Sequence, residues 1–262
     1  MTTYLDRILS AHRATAAADL RPLEPLLDEA RRCAPTRGFA AALDREATER
    51  LAVIAEVKRR SPSKGDLAPD LDPAATAAAY EAGGATCLSV LTDEDWFGGS
   101  AADLQTARAA VDLPVLRKDF TVDPRDLCDA RVMGADAALL IVAALDDGEL
   151  ADLHELAADL GLDLLVEVHD EEELERAVAI GARTIGVNQR DLVTFHVDTD
   201  RAIRVGAAMP DGVLRVAESG IRGADDARRL ADAGFDAVLV GESIVTAGDR
   251  AGSVTDLRAP RR

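Results

Sequence analysis

From residue 51 onward the chain settles into a repeat that leaves few folds open to it. Short apolar runs at 51–57, 86–91, 114–117, 137–142, 163–168, 184–187, 213–217 and 237–240 each end in a polar turn. Ala/Leu-rich amphipathic stretches lie between them, as at 72–82, 124–133, 146–160, 171–180 and 224–233. Continuous apolar runs of this length read as strands, and the intervening 3.6-residue periodicity reads as helices. Gly84-Ala85, Gly134-Ala135, Gly181-Ala182 and Gly234-Phe235, with Gly161, stand just before the next strand. Glycine there closes a helix. Eight such units predict parallel strands covered on both faces. Count and length fit the α/β class as a closed (β/α)8 TIM barrel better than an open doubly wound sheet. No G-x-G-x-x-G follows the first run. Residues 4–32 carry helical periodicity broken near Arg21-Pro22, which predicts two N-terminal helices. The expected organisation is one domain: an N-terminal helical extension at 1–50, a barrel core at 51–245 and a weakly patterned, Arg-rich tail at 246–262.

Composition narrows the partners. The 262 residues are 48% hydrophobic and 30% charged, with a formal net charge of -18. Such a charge argues against nucleic acid or an anionic membrane surface. It also makes any local gathering of cations informative, because an anionic substrate must overcome that field. Cys33, Cys87 and Cys128 have no C-x-x-C spacing and read as free, buried thiols of a reducing compartment. The amphipathic, charge-bearing start is unlike a secretion signal, and the expected location is cytoplasmic.

Of 30 Lys and Arg residues only Lys58, Lys64 and Lys118 are lysine, and all three fall at strand ends or in the loops after them. Arginine stays protonated near neutral pH, whereas lysine can be tuned for proton transfer. In a barrel, strand C-termini and the following loops form the active mouth. Glu56 and Lys58 lie two residues apart and share a face of the first strand. Lys118, Glu167, Asn188 and Glu218 occupy matching places on other strands. Two lysines and three glutamates in one cavity displace each other's proton affinities, as general acid–base chemistry requires. Ser219-Gly220 and Gly241-Glu242, after the seventh and eighth strands, suit a phosphate cradle built from backbone amides, with the Ser61 hydroxyl at the adjacent rim. Glu242 is expected to turn its carboxylate outward.

Other features read differently. His12, His154, His169 and His196 show no metal-ligand spacing, and no metal is expected. His169 is read as a surface or capping residue, and Asp93-Glu94-Asp95 as a solvated loop. Trp96 and Phe97 suggest a flap over an aromatic ligand, with Phe120 as a second wall.

The motifs resemble those of the indole-3-glycerol phosphate synthases. They are 54–65 (IAEVKRRSPSKG), 89–92 (SVLT), 114–120 (PVLRKDF), 139–142 (LLIV), 166–169 (VEVH), 186–192 (GVNQRDL), 217–221 (AESGI) and 240–243 (VGES), in the family's order along nearly the whole chain. The resemblance implies a cofactor-free lyase. Its substrate is 1-(2-carboxyphenylamino)-1-deoxyribulose 5-phosphate, and its product forms with loss of carbon dioxide and water. It implies Lys118 as the general acid on the ketone oxygen and Lys58 as the partner of the substrate carboxylate. Glu167 and Glu56 become acid/base groups, without a decision as to which takes which proton. Asn188, Glu218 and Arg190 would orient the substrate, Phe97 and Phe120 would flank its ring, and Ser61, Ser219, Gly220, Gly241 and Glu242 would hold its phosphate. Gln189 departs from the second Asn of many members and should face away from the cavity. The expected partner is this small phosphorylated molecule, for a monomer or weak homo-oligomer. Rival readings are an isomerase related to phosphoribosylanthranilate isomerase, working through Cys and Asp, and a non-catalytic barrel that binds a phosphorylated metabolite.

Overall fold

The computed structural model describes residues 3–191 and 196–260. Eight strands form the barrel: β1 (Ala52–Val57), β2 (Cys87–Leu91), β3 (Val115–Lys118), β4 (Ala137–Ile141), β5 (Asp163–Val168), β6 (Thr184–Asn188), β7 (Leu214–Glu218) and β8 (Ala237–Val240). Each lies parallel to its neighbours in the chain, and β8 pairs back with β1, through Ala55 opposite Val240, to close the ring. Every strand end falls within one residue of its expected place. Continuous burial along β1, β2, β4 and β6 is the pattern of strands covered on both sides.

Outer helices follow the strands in turn: α4 (Pro73–Ala82), α6 (Ala101–Ala110), α7 (Pro124–Met133), α8 (Asp147–Asp159), α9 (Glu171–Ala179), α10 (Arg201–Gly206), α11 (Ala224–Asp232) and α13 (Arg250–Leu257). Their starts are written in the sequence. Asp72 precedes Pro73 and accepts from the amides of Ala74 and Ala75, and Asp123 and Asp126 form a capping box around Pro124. The 250–257 segment, expected as tail, is instead the eighth helix. Asp249 caps it, and it packs so tightly on α4 that a side chain at Gly83 would strike the Ala251 carbonyl and Val254.

The N-terminal extension contains three helices rather than two: α1 (Tyr4–Ala18), α2 (Leu23–Arg32) and α3 (Phe39–Ala47). They reach opposite ends of the barrel. α3 plugs the N-terminal end, burying Phe39 and Leu43 completely. Its Ala40 amide donates to Asp163 at the start of β5 (2.9 Å), and the Phe39 carbonyl accepts from Cys87 at the start of β2. Burying two such side chains contributes about 1.5–3 kcal/mol each. Asp136, fully buried beside them, accepts from the amides of Arg37 (2.7 Å) and Val115 (2.8 Å) and pairs with Arg108. α1 crosses the other end, where the strands terminate.

Candidate active site

A cavity of about 520 Å³ opens where the strands end, and every residue expected to act on the substrate, orient it or hold its phosphate lines it. Leu139, Ile141 and Leu239 form apolar floor, and Tyr4, Leu5 and Ile8 of α1 cover one side. That cover was not anticipated. Nothing in a local helical pattern states which distant surface it will meet. All three lysines face the cavity.

Its centre is an ion cluster carried by alternate strands. Lys118, ending β3, stands 3.4 Å from Glu167 on β5 and 3.9 Å from Glu218 on β7. Glu56 on β1 pairs with Lys58 just beyond that strand's end. Asn188 on β6 donates to the second oxygen of Glu167 (3.0 Å). The three glutamates are nearly inaccessible to solvent. Backbone economy makes the convergence possible: a Cβ at Gly186 would collide with the Glu218 carboxylate, and one at Gly241 with that of Glu56.

The charges sort themselves accordingly. Burial acts to lower the Lys118 proton affinity, but Glu167, Glu218 and Glu56 together overcome it and hold the ammonium well above the ordinary lysine range. Burial acts to raise Glu167, yet Lys118, His169 and the Asn188 hydrogen bond win and keep it ionised. Glu218 goes the other way. Burial and the charge of Glu167 push its proton affinity well above the ordinary carboxylate range, with Lys118 opposing the shift. One Glu218 oxygen has no hydrogen-bond partner among the described residues. The cavity therefore presents a proton donor, a proton acceptor and a carboxyl group of raised proton affinity side by side.

At the rim, Ser219 (φ 67°) and Gly220 (φ 73°) take successive left-handed conformations, and Ser219 is the one non-glycine with positive φ among the described residues. Gln189 faces away from the cavity as expected, and its side-chain amide donates to the Ser219 carbonyl (2.7 Å), bracing that turn. The Ser61 hydroxyl is buried, lines the cavity and has no hydrogen-bond partner among the described residues. Gly241 leads into the short α12 (Glu242–Val245). The Glu242 carboxylate lies 3.8 Å from both Lys64 and Arg190, which line the cavity with it. Leu192, the last residue of the 186–192 motif, lies outside the described residues.

Several expectations need correction. Asp93 is not solvated. It is buried, caps the short α5 (Glu94–Phe97), and its second oxygen lies 2.9 Å from His12 Nε2. His12, Asp93 and Asp119 gather closely enough to suggest metal ligation. Arg117, bonded to Asp119 (2.9 Å), supplies the balancing charge, so the group reads as an ion-pair network fastening α1 to the mouth. His169 is not a surface residue; it is largely buried against Glu167 and Glu173. Phe97 and Phe120 both line the cavity, ring centroids 6.3 Å apart. Trp96 turns instead toward Tyr4 of α1, at 5.2 Å edge-to-face. Cys33 is only half-buried, while Cys87 and Cys128 are buried as expected.

A closed parallel barrel that collects coupled acids and bases at its C-terminal mouth is a (β/α)8-barrel enzyme built for proton transfer. The family model for indole-3-glycerol phosphate synthase matches residues 5–257, and the chain belongs to that family. The indole-3-glycerol phosphate synthase of Streptomyces griseus is 52% identical over 259 residues, covering 98% of this chain and 95% of that protein. The one from Mycobacteroides abscessus is 50% identical, covering 97% and 93%. Among solved structures, thiamine phosphate pyrophosphorylase from Pyrococcus furiosus superposes with a TM-score of 0.60 at 19% identity, covering 79% of this chain and 93% of that one. That likeness speaks to the barrel alone.

Proposed function

We propose that the protein converts 1-(2-carboxyphenylamino)-1-deoxyribulose 5-phosphate to indole-3-glycerol phosphate, releasing carbon dioxide and water, and that the cavity residues divide the work as follows. The observation that carries this reading is the Lys118 ammonium, held charged beside the buried carboxyl groups of Glu167 and Glu218 at the cavity's centre. As the aromatic ring carbon attacks the ketone, negative charge grows on its oxygen. A preorganised ammonium is the group to protonate it. Lys58, steadied by Glu56, receives the ring carboxylate, and carbon dioxide leaves as the ring regains aromaticity. Dehydration then needs an acid for the departing hydroxyl and a base for a C–H proton of the neighbouring ring CH2, so that the ring double bond forms while the N–H is kept. The Lys/Glu pairs include both. Asn188 and Glu218 orient the substrate, Phe97 and Phe120 flank its ring, and Arg190 contacts it. The rim of Ser61, Ser219, Gly220, Gly241 and Glu242 takes the phosphate.

The Cys/Asp isomerase reading loses support from geometry. Cys87 begins β2 at the far end of the barrel, Cys128 lies in α7, and neither lines the cavity. Residues 1–262 act in this proposal as one domain, a cytoplasmic monomer or weak homo-oligomer that uses no metal, organic cofactor or nucleic acid. The -18 charge and the sufficiency of the acid–base set support it. No helix among the described residues is long and apolar enough to cross a membrane. The test is to give the purified protein the carboxyphenylamino substrate and follow indole fluorescence without added metal or nucleotide. Fluorescence growth is expected. Its absence from folded protein overturns the assignment.

A further inference from the structure

His169 is used nowhere in that scheme, yet its ring is clamped between two carboxylates beside the reacting groups. It follows β5 directly and precedes α9, so Val168 and the Asp170 cap fix its backbone. Its amide and its Nδ1 both point at one Glu173 oxygen, at 2.8 and 3.0 Å. On the opposite edge Nε2 stands 3.5 Å from the Glu167 oxygen that accepts from Asn188. Nε2 makes no hydrogen bond among the described residues.

Neutral imidazole cannot satisfy this setting. Its single proton would sit on Nδ1, facing Glu173, leaving the Nε2 lone pair aimed at the anionic Glu167. Only the doubly protonated ring donates at both edges. We propose that His169 is a positioning residue that works as an imidazolium, bridging Glu173 and Glu167 and so fixing the Glu167 carboxylate toward Lys118. The inference rests on the role given to Glu167 above.

The surrounding charges agree. Burial and, more weakly, Arg201 on α10 act to deprotonate the ring. The Glu173 hydrogen bond and the charges of Glu167 and Glu173 outweigh them and raise its proton affinity above the ordinary histidine range. Asn188 on β6 and Lys118 on β3 face the same carboxylate from the other side but carry no base to compete for the proton. Because the folded value is raised, the bridge is intact below ordinary histidine pH and is lost as pH rises through the raised value. Lys118, held far higher, stays charged throughout that window.

The experiment has two arms, both on the full chain. Ring ¹⁵N NMR of the wild-type protein, with His169 assigned by His169→Asn, reads the protonation state directly. The expected signal is a doubly protonated ring persisting above the pH at which free histidine titrates, moving to lower pH in Glu173→Gln. The second arm is the pH profile of kcat. His169→Asn, which keeps a donor but no titration, should lower kcat about tenfold, the rate equivalent of one hydrogen bond to a charged group. KM should stay within about twofold, and the alkaline fall in kcat near the histidine range should vanish. A ring found neutral at pH 6, or an unchanged alkaline limb in His169→Asn, overturns the proposal. If the wild-type protein makes no indole, the assigned reaction fails while the NMR arm still decides the state of His169. If His169→Asn does not fold, the ring signal that moves in Glu173→Gln identifies His169, and its titration in the wild-type protein decides instead.

Discussion

The two ends of this barrel handle buried charge in opposite ways. At the N-terminal end Asp136 is saturated: two backbone amides and the Arg108 guanidinium share its oxygens, and α3 seals the surface with Phe39 and Leu43. At the C-terminal end three glutamates and two lysines share too few partners. The proton affinity of Glu218 is pushed up, and one of its oxygens and the Ser61 hydroxyl have no hydrogen-bond partner among the described residues. A saturated buried ion holds structure together, whereas an unsaturated one keeps capacity for a ligand at some expense of stability. The same eight strands serve both ends, so the contrast lies in side chains and loops rather than in architecture.

The sharpest way to break the contrast is Lys118→Arg. Arginine keeps the charge but gives up no proton near neutral pH. Turnover by indole fluorescence should fall by roughly 10²–10⁴-fold, while the melting temperature and affinity for a phosphorylated ligand change little. Near wild-type turnover would remove Lys118 from its role. At the opposite end, Asp136→Asn should destabilise by roughly 3–5 kcal/mol, the range for breaking a buried pair, with kcat per folded molecule unchanged in urea-titrated samples. A matched loss of kcat would show that the two ends are not separable.

Glu218→Gln sharpens the comparison by testing whether the functional end sacrifices stability. Unfolded Glu218 ionises near the ordinary carboxylate value, while the folded state prefers its proton. Its contribution is therefore fully present below the unfolded value and is lost as pH rises toward the raised folded one. Replacing it with Gln should raise the melting temperature at pH 7 by about 2–4 °C, the equivalent of about 1 kcal/mol, and the gain should disappear below about pH 4. Activity should drop in the same variant. The smallest effect concerns α1. Asp93 and Asp119 raise the proton affinity of His12 against the opposing effect of its burial, so the α1 fastening weakens as pH rises through that raised value. Trp96, the chain's one tryptophan, meets Tyr4 of α1 and should report this as a pH-dependent emission change that His12→Gln abolishes.

Much of this was legible in the linear chain, for identifiable reasons. Strand ends are punctuated by Gly, Asp and Pro, and eight similar units repeat the message, so the barrel follows from local signals. The site was legible because a barrel projects strand termini to one place. Lys58, Lys118 and Glu167 needed only their positions on strands to be grouped. What was missed depends on contacts between distant segments. α3 begins at Gly38 with no side-chain cap, so it carries no start signal, and only the barrel floor it fills accounts for it. An acidic run such as Asp93-Glu94-Asp95 reads as solvated until His12 arrives from 81 residues away. His169 looked peripheral because Glu167 is two residues behind it and Glu173 a helical turn ahead, a pairing visible only once β5 meets α9.

The scarcity of lysine has a practical corollary. Every side-chain amine in the chain opens onto one chamber. Among side chains, a reagent selective for primary amines thereby labels that chamber alone, with no engineered handle required. Modification at positions 58, 64 and 118, resolved by peptide mass and compared with and without a phosphorylated occupant, would map which amines the occupant shields.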